Sequence, residues 1–283
     1  MKLFVTGAAG FIGSNYVRHV LDTCDDEIVI YDLLTYAGNM ASIEDLLGDR
    51  VSFVHGDICD REAVAAAMKG SDQVVHFAAE SHVDRSITGP DAFVHTNCDG
   101  TNVMCDVARQ LEVDKFLHVS TDEVYGSVEE GSSVETDGLD PRSPYSASKA
   151  GSDLIALSYF TTYDLPVIVT RASNNYGPFQ FPEKVIPLFT TNLLDGGSVP
   201  LYGDGMNIRD WLFVADHCAG VDVVLRNAEP GQIYTIGGGN EITNRELADR
   251  LIELCGRDES AIDHVGDRPG HDRRYSIDCS KLE

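Results

Sequence analysis

The sequence predicts an α/β protein, a doubly wound parallel sheet with a smaller lobe interleaved toward its carboxyl end. Three observations carry that prediction. Short apolar strands alternate with helical patterns through the first two-thirds of the chain. A glycine-rich turn joins the first strand to the first helix. After Arg171 the rhythm breaks into short pieces punctuated by proline and glycine. Strands separated by helices build right-handed βαβ units, and these give a parallel sheet covered on both faces.

In chain order, Lys2–Thr6 reads as the first strand and Phe11–Asp22 as an amphipathic helix. Strands follow at Glu27–Tyr31, Val51–Val54, Gln73–Phe77 and Lys115–Val119, with helical patterns over Arg61–Met68 and from Asp91 to Gln110 between them. The segment Glu129–Pro144 is polar and reads as a surface loop. A helix over Pro144–Tyr163 and a strand over Pro166–Thr170 come next. Pro178, Pro182, Pro187, Pro200 and the glycines at 196–197 then break the chain. Asp216–Asn227 is helical again, and Ile233–Ile236 is one more sheet strand. Thr243 followed by Glu246 is a capping box opening a helix over Arg245–Cys255, and Ser276–Asp278 is strand-like.

Composition narrows the function. The 283 residues are 43% hydrophobic, enough for a sizeable core, and 21 basic against 46 acidic side chains leave a net charge of −25. That field repels phosphate backbones and anionic lipid, which argues against nucleic-acid and membrane partners. No apolar run approaches the roughly 20 residues of a membrane helix, and Met1–Val5 runs straight into glycines rather than forming a signal peptide. Seven cysteines without a C-x-x-C pair do not suggest a disulfide framework, so a soluble cytoplasmic protein is expected. Six lysines and an excess of Asp over Glu match the balance of proteins from salt-loving organisms, with an ordinary acidic protein as the alternative. The nine histidines show no H-x-x-x-H or H-E-x-x-H spacing, so no metal is expected, and His76 and His118 in apolar strands read as core residues.

Thr6-Gly7-Ala8-Ala9-Gly10-Phe11-Ile12-Gly13 lies between strand and helix, where glycines let the backbone turn and approach a pyrophosphate at the helix N-terminus. The context makes a nucleotide site of Rossmann type the stronger reading over a merely structural turn. Asp32 ends the second strand about 20 residues further on, placed to accept from a ribose. Leu33, Leu34 and Thr35 offer no cation for a 2′-phosphate, which favours NAD over NADP. Gly56-Asp57-Ile58 follows the third strand, where an adenine edge is read. Small residues at Ala78 and Ala79, with Glu80 and Ser81, follow the fourth.

Tyr145 and Lys149 stand at i and i+4 on one helix face. A nearby ammonium favours the phenolate and brings tyrosine toward the working range of a base. The pattern alone is common. Joined to the glycine turn, Asp32 and the Ser120-Thr121 pair, it resembles the extended short-chain dehydrogenase/reductase family over essentially the whole chain. The resemblance implies that Tyr145 deprotonates a sugar hydroxyl while hydride leaves for NAD, that Lys149 binds the ribose, and that Thr121 bonds the reacting oxygen. It also implies cofactor contacts from Gly7, Gly10, Phe11, Ile12, Gly13, Asp32, Leu33, Thr35, Asp57, Ile58, Ala78, Ala79, Glu80, Thr96 and Asn175.

Thr121-Asp122-Glu123 narrows the choice further. Two adjacent acids cannot share one environment, so the more buried keeps its proton and the other serves as base. In a chain with 46 acids such a pair is by itself unremarkable. Thr121-Asp122-Glu123 is, however, similar to the signature of the dTDP-glucose 4,6-dehydratases. So are Leu34–Asn39, Ala79–Ser86, Ser173–Pro178, Pro182–Lys184, Ile208–Trp211 and Asp267–Tyr275. This resemblance implies a redox-neutral dehydration, in which C4 is oxidised, Glu123 removes the C5 proton, Asp122 protonates the departing C6 hydroxyl and hydride returns to C6. It places Ser81, Thr121, Asn174, Lys184, Val185, Pro200, Tyr202, Arg209, Asn244, Arg268 and His271 on the nucleotide-diphosphate sugar. It divides the chain into an NAD-binding domain over 1–173, rejoined by 211–236, and a substrate lobe over 174–210 and 237–283. That lobe looks shortened, since family members usually continue for several tens of residues past position 283. A homodimer through the Asp91–Gln110 and Pro144–Tyr163 helices is also implied. A nucleotide-sugar 4-epimerase or decarboxylase would share the scaffold without needing both acids. A non-catalytic NAD-binding protein would not need Thr121, Tyr145 and Lys149.

Overall fold

The structure, a computed structural model, describes residues 1–283. Its strands are β1 (Lys2–Thr6), β2 (Glu27–Asp32), β3 (Val51–His55), β4 (Gln73–His76), β5 (Lys115–Thr121), β6 (Val167–Ala172), β7 (Asn174–Tyr176), β8 (Val199–Tyr202), β9 (Ile208–Phe213), β10 (Ile233–Ile236), β11 (Glu241–Thr243) and β12 (Ile262–Val265). The helices are α1 (Phe11–Thr23), α2 (Arg61–Met68), α3 (Val83–Thr88), α4 (Pro90–Phe93), α5 (Thr101–Gln110), α6 (Pro144–Tyr163), α7 (Val185–Leu194), α8 (Val214–Asn227) and α9 (Asn244–Leu254).

Seven strands form one sheet in the order β3-β2-β1-β4-β5-β6-β10, every neighbour parallel. Side chains alternate across it. Leu3 and Val5 pack with Val17 and Val20 of α1 and Val221 and Leu225 of α8. Phe4 points to the other face, with Val64 of α2, Met104 of α5 and Ala156 of α6. All six residues of β6 are buried, as expected of a strand covered on both faces. His76 bonds Thr6 Oγ1 at 2.7 Å and Thr101 Oγ1 at 3.2 Å and is a satisfied core residue; His118 is also in the core and bonds Ser152 Oγ at 3.0 Å, but its Nδ1 is buried without a partner. The second region holds a three-stranded sheet, β11-β9-β7, and the parallel pair β8–β12. Its own small core joins Phe189 and Leu193 of α7 to Ala248 and Ile252 of α9.

Several elements depart from the sequence expectation. Strands β5 and β6 run on together to the pairs Ser120–Arg171 and Thr121–Ala172, which carries Thr121 to the sheet's rim. The helical stretch expected from Asp91 begins at Pro90 and widens to a π-helix over Val94–Gly100. There Asn97 Nδ2 donates to Glu80 O (3.0 Å) and Ser148 Oγ (2.8 Å), tying the wide turn to the segment after β4 and to α6, and such turns often mark functional geometry. Ser276–Asp278 forms no strand, only a single bridge from Ile277 to Ser133. Helix α7 carries Pro187 in its first turn, where no intrahelical N–H bond is needed, so a residue read as a breaker is tolerated. The three- and four-residue strands β7, β8, β11 and β12 are too short for a periodic signal. The strand order switches direction between β1 and β4, and open parallel sheets bind ligands at the carboxyl ends of strands at such a point.

Candidate active site

A cleft of about 350 Å³ opens at that point and continues into a second chamber of about 200 Å³. The glycine turn shapes the cleft by steric exclusion. Gly7 sits at φ +70°, and a Cβ there would lie 2.6 Å from Ala78 N; a Cβ on Gly13 would lie 2.6 Å from Gly7 O. Asp32 accepts from Ala9 N at 3.0 Å and Leu34 N at 2.8 Å, which fixes its carboxylate at the end of β2. Burial raises its pKa, and the charged neighbour acting on it is His55, with no lysine or arginine. Glycines that leave room for a diphosphate and an acid free of cations fit a dinucleotide with an unphosphorylated ribose. Every residue expected to hold NAD lines this cleft, from Gly7 to Thr96, Lys149 and Asn175.

The reacting end is built on β5 and α6. Ser143 and Ser146 form a capping box that starts α6 and sets Tyr145 and Lys149 on its inward face, both buried. Lys149 Nζ donates to Val119 O at 2.8 Å, and burial lowers its pKa to about 8. The Tyr145 phenol is raised, first by burial and then by Glu123, with the Thr121 hydroxyl acting the other way. The expected pull of Lys149 on the phenol does not dominate; burial and Glu123 do.

Asp122 and Glu123 lie on a single 3-10 turn, Asp122–Tyr125, capped by Thr121 Oγ1, which accepts from Glu123 N at 3.2 Å. Their environments differ. Asp122 lines neither chamber, is only 3% exposed, accepts from Thr121 Oγ1 at 3.3 Å, and leaves its Oδ2 without a partner. Burial, then Glu123, pushes its pKa far above the carboxylate range. Glu123 lines both chambers; burial raises it, while Lys184, Arg268 and Arg209 restrain that rise. One carboxyl is thus pushed strongly toward its neutral form beside another whose ionised form three cations favour.

Arg209 Nη2 donates to Asp272 O at 2.9 Å and its guanidinium lies 4.2 Å above the Tyr275 ring. Lys184 Nζ donates to Ser81 O at 2.8 Å. Arg268 pairs with Asp84 at 3.1 Å, and His271 bonds Asp267 at 2.6 Å. Pro200, Tyr202, Asn244 and His271 face only the outer chamber; Asn174, Lys184 and Val185 face both, and Ser81 and Thr121 face the cleft. Asn174 Oδ1, Trp211 Nε1 and Arg268 Nε are buried without partners, which leaves polar capacity for a ligand. Sequence reasoning missed several wall residues. Gln180, Phe181, Glu183 and His217 line the cleft, and Tyr275 lines the outer chamber. Glu183 and Tyr275 lie within segments that already stood out, whereas nothing local marks His217, whose Nδ1 meets Asn175 Oδ1 at 2.9 Å.

The family model described as GDP-mannose 4,6 dehydratase matches residues 4–283. A dTDP-glucose 4,6-dehydratase of Streptomyces antibioticus is 57% identical over 287 residues, covering 99% of this chain and 85% of its own length. The low-salt glycan biosynthesis protein Agl12 of Haloferax volcanii is 51% identical, covering 100% and 92%. The dTDP-glucose 4,6-dehydratase DesIV of Streptomyces venezuelae, solved with NAD bound, superposes with a TM-score of 0.98 at 54% identity, covering 100% of this chain and 90% of that one.

Proposed function

This chain belongs to the GDP-mannose 4,6 dehydratase family, and from that premise we propose that it is an NAD-dependent hydro-lyase converting dTDP-glucose to the 4-keto-6-deoxy sugar. The observation that carries the reading is the contrast within one capped turn, an Asp122 buried behind both chambers whose pKa burial pushes far up, beside a Glu123 that lines both and is restrained by Lys184, Arg268 and Arg209, next to Tyr145. An epimerase or decarboxylase has no use for that pair.

NAD held against the glycine turn, Asp32 and Lys149 would supply the hydride acceptor for C4 and the hydride donor for C6. Tyr145, as the phenolate that the Thr121 hydroxyl favours against burial, takes the proton of the C4 hydroxyl, with the Lys149 cation one helical turn away. The C4 ketone so formed acidifies C5, and Glu123 removes that proton. Asp122, behind the wall and bonded to the Thr121 hydroxyl that faces the cleft, supplies the proton with which the C6 hydroxyl leaves as water. Glu123 gives its proton back to C5 as C6 is reduced. Tyr145 has then gained one proton and Asp122 has lost one. The Thr121 hydroxyl, donating to Asp122 Oδ1 and adjoining the phenol, connects the two and restores both. Burial of Tyr145, Asp122 and Lys149 keeps bulk water from the intermediate.

Arg209, Arg268 and Lys184 supply the positive charge that a diphosphate needs in a protein of net charge −25. In this reading residues 1–173 and 211–236 form the NAD-binding part, supported by β1–β6 and β10 in the seven-stranded sheet and by α8 packed on it, although 211–213 continue β9 of the three-stranded sheet, and 174–210 with 237–283 form the substrate lobe. The reading includes a cytoplasmic homodimer paired through the Asp91–Gln110 and Pro144–Tyr163 stretches, in which Val94, directly after α4, and Leu154 of α6 are exposed. Incubation with dTDP-glucose and UDP-glucose tests the reading. Alkali-induced absorbance of a 4-keto sugar is expected, whereas a galactose nucleotide as product would decide for the epimerase.

A further inference from the structure

A buried side chain outside both chambers joins the two halves of the chemistry. Arg171 of β6 is 2% exposed. Its Nε donates to Asp153 Oδ2 at 2.9 Å, and its Nη1 donates to the Tyr125 hydroxyl at 2.8 Å. The guanidinium also lies 4.8 Å from the Tyr125 ring centre.

The two partners belong to different parts of the site. Asp153 is fully buried on α6, one turn past Lys149 and two turns past Tyr145, with His118 Nε2 3.3 Å from its other oxygen. Tyr125 ends the 3-10 turn that carries Asp122 and Glu123. Beyond it, Gly126 adopts φ +75°, and a Cβ there would lie 2.3 Å from Asp140 O, so the turn is seated tightly on its outer side. Arg171 thus holds the oxidising helix with one edge of its planar fork and the acid-bearing turn with the other.

A buried ion pair adds little net stability over apolar packing of the same volume; what it fixes is geometry. Geometry is the scarce quantity here. The hexose oxidised above Tyr145 must find Glu123 and Asp122 without moving, and misplacing a reacting group by about 1 Å costs on the order of 100-fold in rate. We propose that Arg171 is a positioning residue that sets the separation between the Tyr145–Lys149 helix and the Asp122–Glu123 turn, and so couples elimination of water to oxidation at C4. This rests on the dehydratase reading above.

The consequence is a selective defect. Lys149 remains bonded to Val119 O and α6 keeps its capping box whatever happens at Tyr125, so oxidation persists while elimination slows. The test is an acid-quenched single turnover of the holoenzyme with dTDP-glucose, reading by mass the ratio of undehydrated 4-keto-hexose nucleotide to the 4-keto-6-deoxy product. Tyr125→Phe removes one hydroxyl, keeps the ring packing and leaves the Arg171–Asp153 pair intact. It should raise that ratio about 10-fold with its melting temperature close to that of wild type. Arg171→Lys, which keeps the charge and loses the fork, should raise the ratio at least as much. Should Tyr125→Phe slow both steps by one common factor, or change neither, the coupling role is overturned. Should wild type itself form no 4-keto-6-deoxy sugar, it is the dehydratase reading that fails.

Discussion

At the glycine turn the site is made of backbone and small residues, with Gly7 and Gly13 leaving no room for a single added carbon and Asp32 held by two amides. At the other end Lys184, Arg209 and Arg268 face Glu123, with Asp272 and Asp84 close behind. The first region works by exclusion and the second by charge balance. A steric fit fails abruptly when violated. A charge balance degrades by degrees, according to how much of the opposing charge remains.

The strongest challenge to this contrast is Glu123→Gln, which keeps shape and removes the base. Its kcat should fall about 1000-fold, or about 4 kcal/mol, with NAD content unchanged. A steady-state kcat within tenfold of wild type would mean that shape, not charge, governs this end.

Next comes Lys149, whose pKa in the folded protein is about 8 against an ordinary 10.5. Between those values the unfolded chain holds the proton and the folded chain has released it, so folding stability rises with pH across that window. Below about pH 8 the full cost of burying the ammonium is present, on the order of 3 kcal/mol. Urea denaturation of the cofactor-free protein should show that rise, and Lys149→Met should abolish its share. A variant with the same slope as wild type would remove Lys149 as its source.

Gly7→Ala probes exclusion directly. At φ +70° with a Cβ 2.6 Å from Ala78 N, it should lose about 2 kcal/mol of stability and fail to retain NAD through desalting. Arg268→Ala should have the smallest effect, since the Arg268 side chain is 21% exposed and its partner Asp84 is 41% exposed. KM for dTDP-glucose should rise about tenfold, or about 1.4 kcal/mol, with kcat nearly unchanged. A fall in kcat of the same size would place Arg268 in the chemistry instead.

The same contrast explains what could be read from the sequence. The cofactor end is local. A strand, a G-x-x-G-x-x-G turn, a helix and an acid about 20 residues later specify one another through spacing. Tyr145 and Lys149 are likewise neighbours on one helix. The substrate end converges from residues 81–84, 123, 174–185, 200–209, 244 and 268–275, and no spacing rule connects them; family likeness alone pointed there. Asp122 and Glu123 showed in the sequence as a pair, but their division into neutral acid and restrained base depends on burial that only the fold supplies. Arg171 left no trace at all, because a buried fork between a helix and a turn depends on the pairing of β5 with β6. Helix α7 was hidden by Pro187, and His217 by its distance in sequence from everything it faces.

Glu123, Asn174, Glu183, Lys184, Val185 and Trp211 form a party wall, since each lines both the cleft and the outer chamber. A substitution that changes the shape of any of those six, made to retune which sugar nucleotide is accepted, also reshapes the wall of the dinucleotide's cleft. Pro200, Tyr202, Asn244 and His271 touch the outer chamber only, and engineering for a new substrate has its freest hand there.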